Sequence, residues 1–149
     1  MNLFAREFVE LARKHLTPTG ILALWVPLPS FDGDFWMIAR NVTDTFPHTL
    51  AWAEPHSPIM GFLLLGSNAP LDLDPAVITQ RMVERKRLRL NPWLTPDLFH
   101  PRRVITDERL RQNAARYPNV TDDWPYTEFP LPAFLDGAPL RFDSEFAFR

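Results

Sequence analysis

Five side chains in the first 56 residues have the chemistry and spacing to act on a ligand. Trp25 stands near the end of Ile21-Leu22-Ala23-Leu24-Trp25-Val26, a run with no polar member. Its indole could stack on an adenine or face an amine through its π cloud, or simply fill core between two helices. Asp32 and Asp34 follow that run by a short loop. Paired carboxylates there suit a polyamine or acid–base chemistry, and they serve equally well as caps for the helix that begins at that point. Glu54 and His56 belong to Glu54-Pro55-His56-Ser57-Pro58, where they could meet a cationic substrate at a cleft mouth or stand in solvent as ordinary loop residues.

The elements that must position these side chains begin with a helix. Phe4, Phe8, Val9, Leu11, Ala12 and Leu16 recur at steps of three and four, and Arg6, Glu7, Glu10, Arg13 and Lys14 take the opposite face. Thr17-Pro18-Thr19-Gly20 stops that helix. The run Ile21 to Val26 then reads as a strand covered on both faces, as in a parallel sheet. Ligands of such sheets collect beyond the carboxyl ends of the strands, here Trp25 to Phe31. Phe35, Ile38, Val42 and Phe46 predict a second helix over Phe31 to Phe46, ended by Pro47. His48 to Trp52 and Ile59 to Gly66 read as strands that pair antiparallel. Only Met1 to Leu3 precede the first helix, so an α/β sheet of this kind is expected to have further segments upstream.

Asp74 and Pro75 read as the N-cap and first residue of a third helix running to about Lys86. Arg81, Arg85, Lys86, Arg87 and Arg89 make its end basic, which fits an anionic partner or a solvated face with cations near the negative pole of the helix. Asn91 to Phe99 is a proline-punctuated connector, and Asp107 to Tyr117 a short helix capped near Thr106 or Asp107. Asp122 and Asp123 could bind a cation or close an acidic turn. Residues 1–129 form one α/β domain, loop-rich after Asn91, and residues 130–149 a C-terminal tail.

Composition removes several function classes. The 149 residues carry sixteen basic and eighteen acidic side chains, a formal charge of −2, so nucleic acid and anionic membranes are not favoured partners. Cysteine is absent, which rules out a thiolate metal site and a cysteine nucleophile. His15, His48 and His100 lack ligand spacing, so no metal is expected. The five glycines lie too far apart for a phosphate-cradling loop, and no serine sits in a nucleophile elbow. No apolar run approaches the roughly 20 residues that span a bilayer, and the start lacks the order of a signal peptide, so a cytoplasmic location is expected.

Three segments taken together, REFVELARKHLTPTGILALWVPLP, FPHTLAWAEPHSPIMGFLLLGSNAPLDLD and VTDDWPYTEFPL, resemble the C-terminal half of the spermidine synthase (polyamine aminopropyltransferase) family. The likeness covers most of residues 4–129. It implies the C-terminal half of a Rossmann-like, methyltransferase-type sheet, with Ile21 to Val26 an inner parallel strand and His48 to Gly66 the closing antiparallel pair. It also implies an aminopropyl transfer from decarboxylated S-adenosylmethionine to an amine. In that family the glycine-rich loop, the ribose-holding acid and the catalytic aspartate belong to an N-terminal half that has no counterpart here. The chain is therefore expected to bind no cofactor alone and to supply part of an amine pocket, with Trp25, Asp32, Asp34, Glu54 and His56 as its candidates. Where the family resembles VAQ, this chain has Ala23-Leu24-Trp25, and an indole accepts no hydrogen bond from an ammonium. The expected partner is the N-terminal half or a second copy. Two other readings are a non-catalytic interaction module whose incomplete sheet a partner covers, and part of a methyltransferase using ordinary S-adenosylmethionine.

Overall fold

The computed structural model describes residues 2–27, 33–54, 61–71, 74–84 and 104–123. The elements in chain order are α1 (Arg6–His15), β1 (Ile21–Pro27), α2 (Asp34–Thr45), β2 (His48–Glu54), β3 (Gly61–Ser67), α3 (Pro75–Glu84), β4 (Val104–Ile105) and α4 (Asp107–Ala114). The strands form one sheet of order β1-β3-β2-β4 in which every neighbouring pair is antiparallel. Because β1 and β2 both oppose β3, they run parallel to each other with β3 between them. The β1-α2-β2 crossover is thus a split βαβ unit.

Directly opposed residues of antiparallel strands point to the same face, so the register sorts the sheet into two sides. Leu24 and Val26 of β1, Phe62 and Leu64 of β3, Ala51 of β2 and Ile105 of β4 form the inner side. Phe35, Ile38, Val42 and Phe46 of α2, Val9 of α1, and Leu110 and Ala114 of α4 cover them. Each large side chain so enclosed contributes about 1.5–3 kcal/mol through removal from water. The contact between α2 and β3 needs Gly66, since a Cβ there would lie 2.5 Å from Cδ2 of Phe46 and 3.0 Å from Cγ1 of Val42.

On the outer side Ile21 and Trp25 are 52% and 44% exposed, and Ala23 between them is exposed as well. Leu63, Leu65, Trp52 and Val104 on the same side are half-buried. The expectation of an inner strand covered on both faces is therefore corrected. Among the described residues β1 is an edge strand, its one neighbour is the antiparallel β3, and only its alternate residues Leu24 and Val26 are fully enclosed. An unbroken apolar run reports the absence of polar residues, and it does not report which face has a layer over it.

Polar side chains fasten the helical layer. Asn41, fully buried in α2, donates to the carbonyls of Phe4 and Val120 at 2.8 Å each and accepts from Nδ2 of Asn119 at 2.8 Å. Arg111 of α4 donates to the carbonyls of Thr43, Phe46 and Pro47 at 2.5, 2.8 and 3.0 Å, closing the end of α2, and to Asp107 Oδ2 at 2.8 Å. Asp107 in turn accepts from the Thr49 backbone at 2.9 Å and from the Thr49 hydroxyl, which ties α4 to β2.

The helix expected over Phe31 to Phe46 runs from Asp34 to Thr45 among described residues, with Gly33 at its N-cap in the left-handed region at φ 101°. No side-chain hydrogen bond caps it, so Asp34 is not the cap but the first helical residue, where its negative charge suits the helix dipole. Asp74 behaves as expected, accepting the Ala76 N–H at 2.8 Å ahead of α3. The last helix ends at Ala114 rather than Tyr117. The two-residue β4 had no signal of its own in the sequence. The connector Asn91 to Phe99, the basic residues Arg85, Lys86, Arg87 and Arg89, and the tail 130–149 lie outside the described residues.

Candidate functional site

The carboxyl ends of β1 and β2 fall at one end of the sheet, because the two strands are parallel. Trp25, Leu63 and Trp52 share one row across β1, β3 and β2, and Pro27, Gly61 and Glu54 share the row at the end. With strands about 4.8 Å apart, residues of β1 and β2 in one row are separated by roughly 10 Å. The register thus brings Trp25 and Glu54 to the same edge of the sheet, and α2 begins at that end with Asp34.

Trp25 does not fill core between helices. Its indole leans over β3 against the backbone of Gly61, where an added Cβ would meet Nε1 at 2.6 Å and Cε2 at 2.9 Å, and nearly half of the side chain remains exposed. An exposed indole face is free to stack on a planar group or a cation. Asp34 lies on the helical side and is 6% exposed, so its carboxyl belongs to the interior of the fold rather than to an open cleft. Beneath it, Gly33 approaches the Tyr117 ring, whose Cε1 would lie 3.0 Å from an added Cβ. Asp32 and His56 lie outside the described residues, and Glu54 is placed only by its backbone register opposite Gly61.

A hollow of about 420 Å³ opens at the other end of the sheet and is lined by Glu10, Arg13, Lys14, Asp44, Thr45 and Asn68. Its cations and anions are matched in number. Arg13 is already engaged there, donating to Asn68 Oδ1 at 2.8 Å and to the Thr45 carbonyl, with its guanidinium 5.9 Å from the centre of the Phe46 ring. It reads as the seam between α1 and α2.

The described residues contain no group of three or more histidine, aspartate or glutamate side chains able to hold a metal ion. None of their helices is long and apolar enough to cross a membrane. The carboxyl with a clear shift, Asp107, stands far from Trp25 in the fold. Burial raises its pKa, but the hydrogen bonds from Arg111 and Thr49 and the adjacent guanidinium outweigh burial and hold it below the ordinary carboxylate range.

Sequence reasoning passed over Asn41 and Arg111, which hold the layers together. Asn41 had a signal, since it falls in phase with Ile38, Val42 and Thr45 on the apolar stripe of its helix, where a polar residue must find buried partners. Compared with known proteins, the chain matches no protein-family model and no curated protein.

Proposed function

We propose that this chain is the C-terminal half-module of a spermidine-synthase-like aminopropyltransferase, completed for decarboxylated S-adenosylmethionine only by an N-terminal half. The observation that carries the reading is the strand order β1-β3-β2 with β1 unpaired on its other side among the described residues. The antiparallel pair β2 and β3 spans His48 to Ser67, where the resemblance expects the closing pair. Connection handedness supports the same arrangement. α1 and α2 pack on one face of the sheet, and parallel crossovers are right-handed in about 98% of cases. A strand entering α1 would therefore lie on the side of β1 away from β2, the side left unpaired among the described residues.

In this reading Trp25, with Glu54 at the same edge by backbone register, belongs to the amine side of the completed site at the carboxyl end of β1. Asp34, the first residue of α2, lies buried on the helical side and takes no part in it. The indole favours an amine held against a π face over one held by hydrogen bonds alone, because it offers no acceptor.

Titration calorimetry with decarboxylated S-adenosylmethionine tests the proposal. The chain alone is expected to give no binding heat, and to bind and transfer an aminopropyl group when co-purified with the N-terminal half of a spermidine synthase. Tight binding by this chain alone would sink the half-module reading. A second reading, a non-catalytic module covered by a partner chain, draws on the exposure of Ile21 and Trp25 beside the open edge. A complemented pair that binds the nucleotide but transfers nothing to any amine favours it.

A further inference from the structure

The hollow at the seam of α1 and α2 has as many cations as anions on its walls, but the two are not equally engaged. Glu10 accepts from Arg6 at 2.7 Å, and Asp44 accepts from Arg40 at 2.7 Å and from Asn119 at 3.2 Å. Both acids thus have counter-ions that do not line the hollow. Lys14 has no hydrogen bond or ion pair among the described residues. With Arg6 and Arg40 counted, four cations, the other two being Arg13 and Lys14, stand against the two anions Glu10 and Asp44. The neutral groups lack acceptors as well. Arginine offers no acceptor, so the Asn68 atom that meets Arg13 Nε at 2.8 Å is Oδ1, and Nδ2 is left without a partner among the described residues. Thr45 is 7% exposed, and its buried hydroxyl has no partner among the described residues either. Buried polar groups are nearly all bonded, and an orphan on the wall of a hollow calls for an acceptor from inside it.

We propose that this hollow binds a small phosphate monoester, its phosphoryl oxygens taken by Lys14 Nζ, Arg13 Nη2, Asn68 Nδ2 and the Thr45 hydroxyl. A phosphoryl group suits this set better than a carboxylate, because it brings three acceptor oxygens and close to two negative charges. Both helices end here, and their negative poles oppose an anion. The carbonyls of Thr43, Thr45 and Phe46 are, however, already covered by the guanidinium groups of Arg111 and Arg13. Arg13 is held at Nε and Nη1 and against the Phe46 ring, so its Nη2 is set in place before a ligand arrives. A volume of about 420 Å³ exceeds that of phosphate alone and is in the range of small-molecule sites. The second carboxylate oxygens of Glu10 and Asp44 are there to accept hydroxyl or amine hydrogens from the rest of the ester. The inference goes beyond the half-module reading, since the hollow stands at the opposite end of the sheet from Trp25 and Glu54.

Titration calorimetry and amide NMR with glycerol phosphate, inorganic phosphate and acetate test it. Glycerol phosphate is expected to saturate one site with a Kd of about 1 mM or tighter. Inorganic phosphate should bind the same site more weakly, and acetate should not saturate it. The shifted amides should include Arg13, Lys14, Thr45 and Asn68. Lys14→Gln and Asn68→Asp should each weaken binding about tenfold or more, the second while keeping the acceptor that Arg13 uses. Thr45→Val removes the orphan hydroxyl, so Tm should hold or rise while affinity falls about tenfold. Arg116→Gln, at an exposed position just past α4, makes the same charge change as Lys14→Gln and should leave affinity within about twofold. No saturation by glycerol phosphate up to about 20 mM, equal losses in Lys14→Gln and Arg116→Gln, or full affinity in Thr45→Val overturns the site. Equally tight binding of inorganic phosphate overturns the monoester. None of these results bears on binding of decarboxylated S-adenosylmethionine by the complemented pair, so the two proposals fail separately.

Discussion

Replacing Arg111 with methionine removes four hydrogen bonds while keeping most of the apolar stem. One goes to Asp107 and three go to the carbonyls of Thr43, Phe46 and Pro47. The ion pair itself is worth little, about 0.2–1 kcal/mol, because the two side chains are 38% and 40% exposed. Each carbonyl bond contributes on the order of 1 kcal/mol net, and water recovers part of this at the surface. The expected loss is about 2 kcal/mol, which lowers Tm by about 4–8 °C for a chain of this size. Urea unfolding followed by circular dichroism measures it. Since the carbonyls dominate, the same substitution made on an Asp107→Asn background should still cost most of that amount. Acid titration provides a second readout. Asp107 has a depressed folded-state pKa, so its contribution is fully present above its unfolded value of about 3.9 and is lost as pH falls through the folded one. Arg111→Met removes part of that depression and moves the loss to higher pH. A cost under about 0.5 kcal/mol, or one that vanishes once Asp107 is asparagine, refutes the assignment of Arg111 as the closure of α2.

Three further substitutions probe the packing. Gly66→Ala should destabilise by about 1–3 kcal/mol through overpacking against Phe46, and Phe46→Leu on the same chain should recover part of the loss in urea midpoints. Gly33→Ala meets both a φ of 101° and the Tyr117 ring, so a loss of about 1–3 kcal/mol is expected by thermal melting. Asn41→Leu takes the Asn41 donor from the Phe4 and Val120 carbonyls, leaving Val120 with the Arg6 N–H, and takes the Oδ1 acceptor from Asn119; it should cost about 2–5 kcal/mol, with hydrogen exchange rising first at the N–H of Arg6.

Much of the element order was legible because the punctuation is strong. Gly20 and Pro47 bound their elements near the positions expected from sequence, and Asp74 with Pro75 opens α3 as its residue types require. The antiparallel pairing of β2 with β3 was legible, but the direction of the neighbour of β1 and its place at an edge among the described residues were not. The alternation of Leu22, Leu24 and Val26 with Ile21, Ala23 and Trp25 has no polar member, so nothing in the pattern separates the covered face from the open one. The insertion of β3 between β1 and β2 depends on long-range pairing that no local spacing encodes. Asp34 was misread for a related reason, because an acid at a helix start can serve as cap or as first-turn charge, and Gly33 with its positive φ already occupies the cap. Of the candidate site, register places Trp25 and Glu54 at one end of the sheet, whereas the sequence supplied only their proximity to apolar runs.

The bond from the Asn2 N–H to Asp122 Oδ1, 2.9 Å long, joins two residues 120 positions apart. Arg6 N–H reaches the Val120 carbonyl nearby, and Asn41 reaches the same oxygen. The seat of α1 is therefore finished only by Val120, which the ribosome releases more than 100 residues after α1 itself.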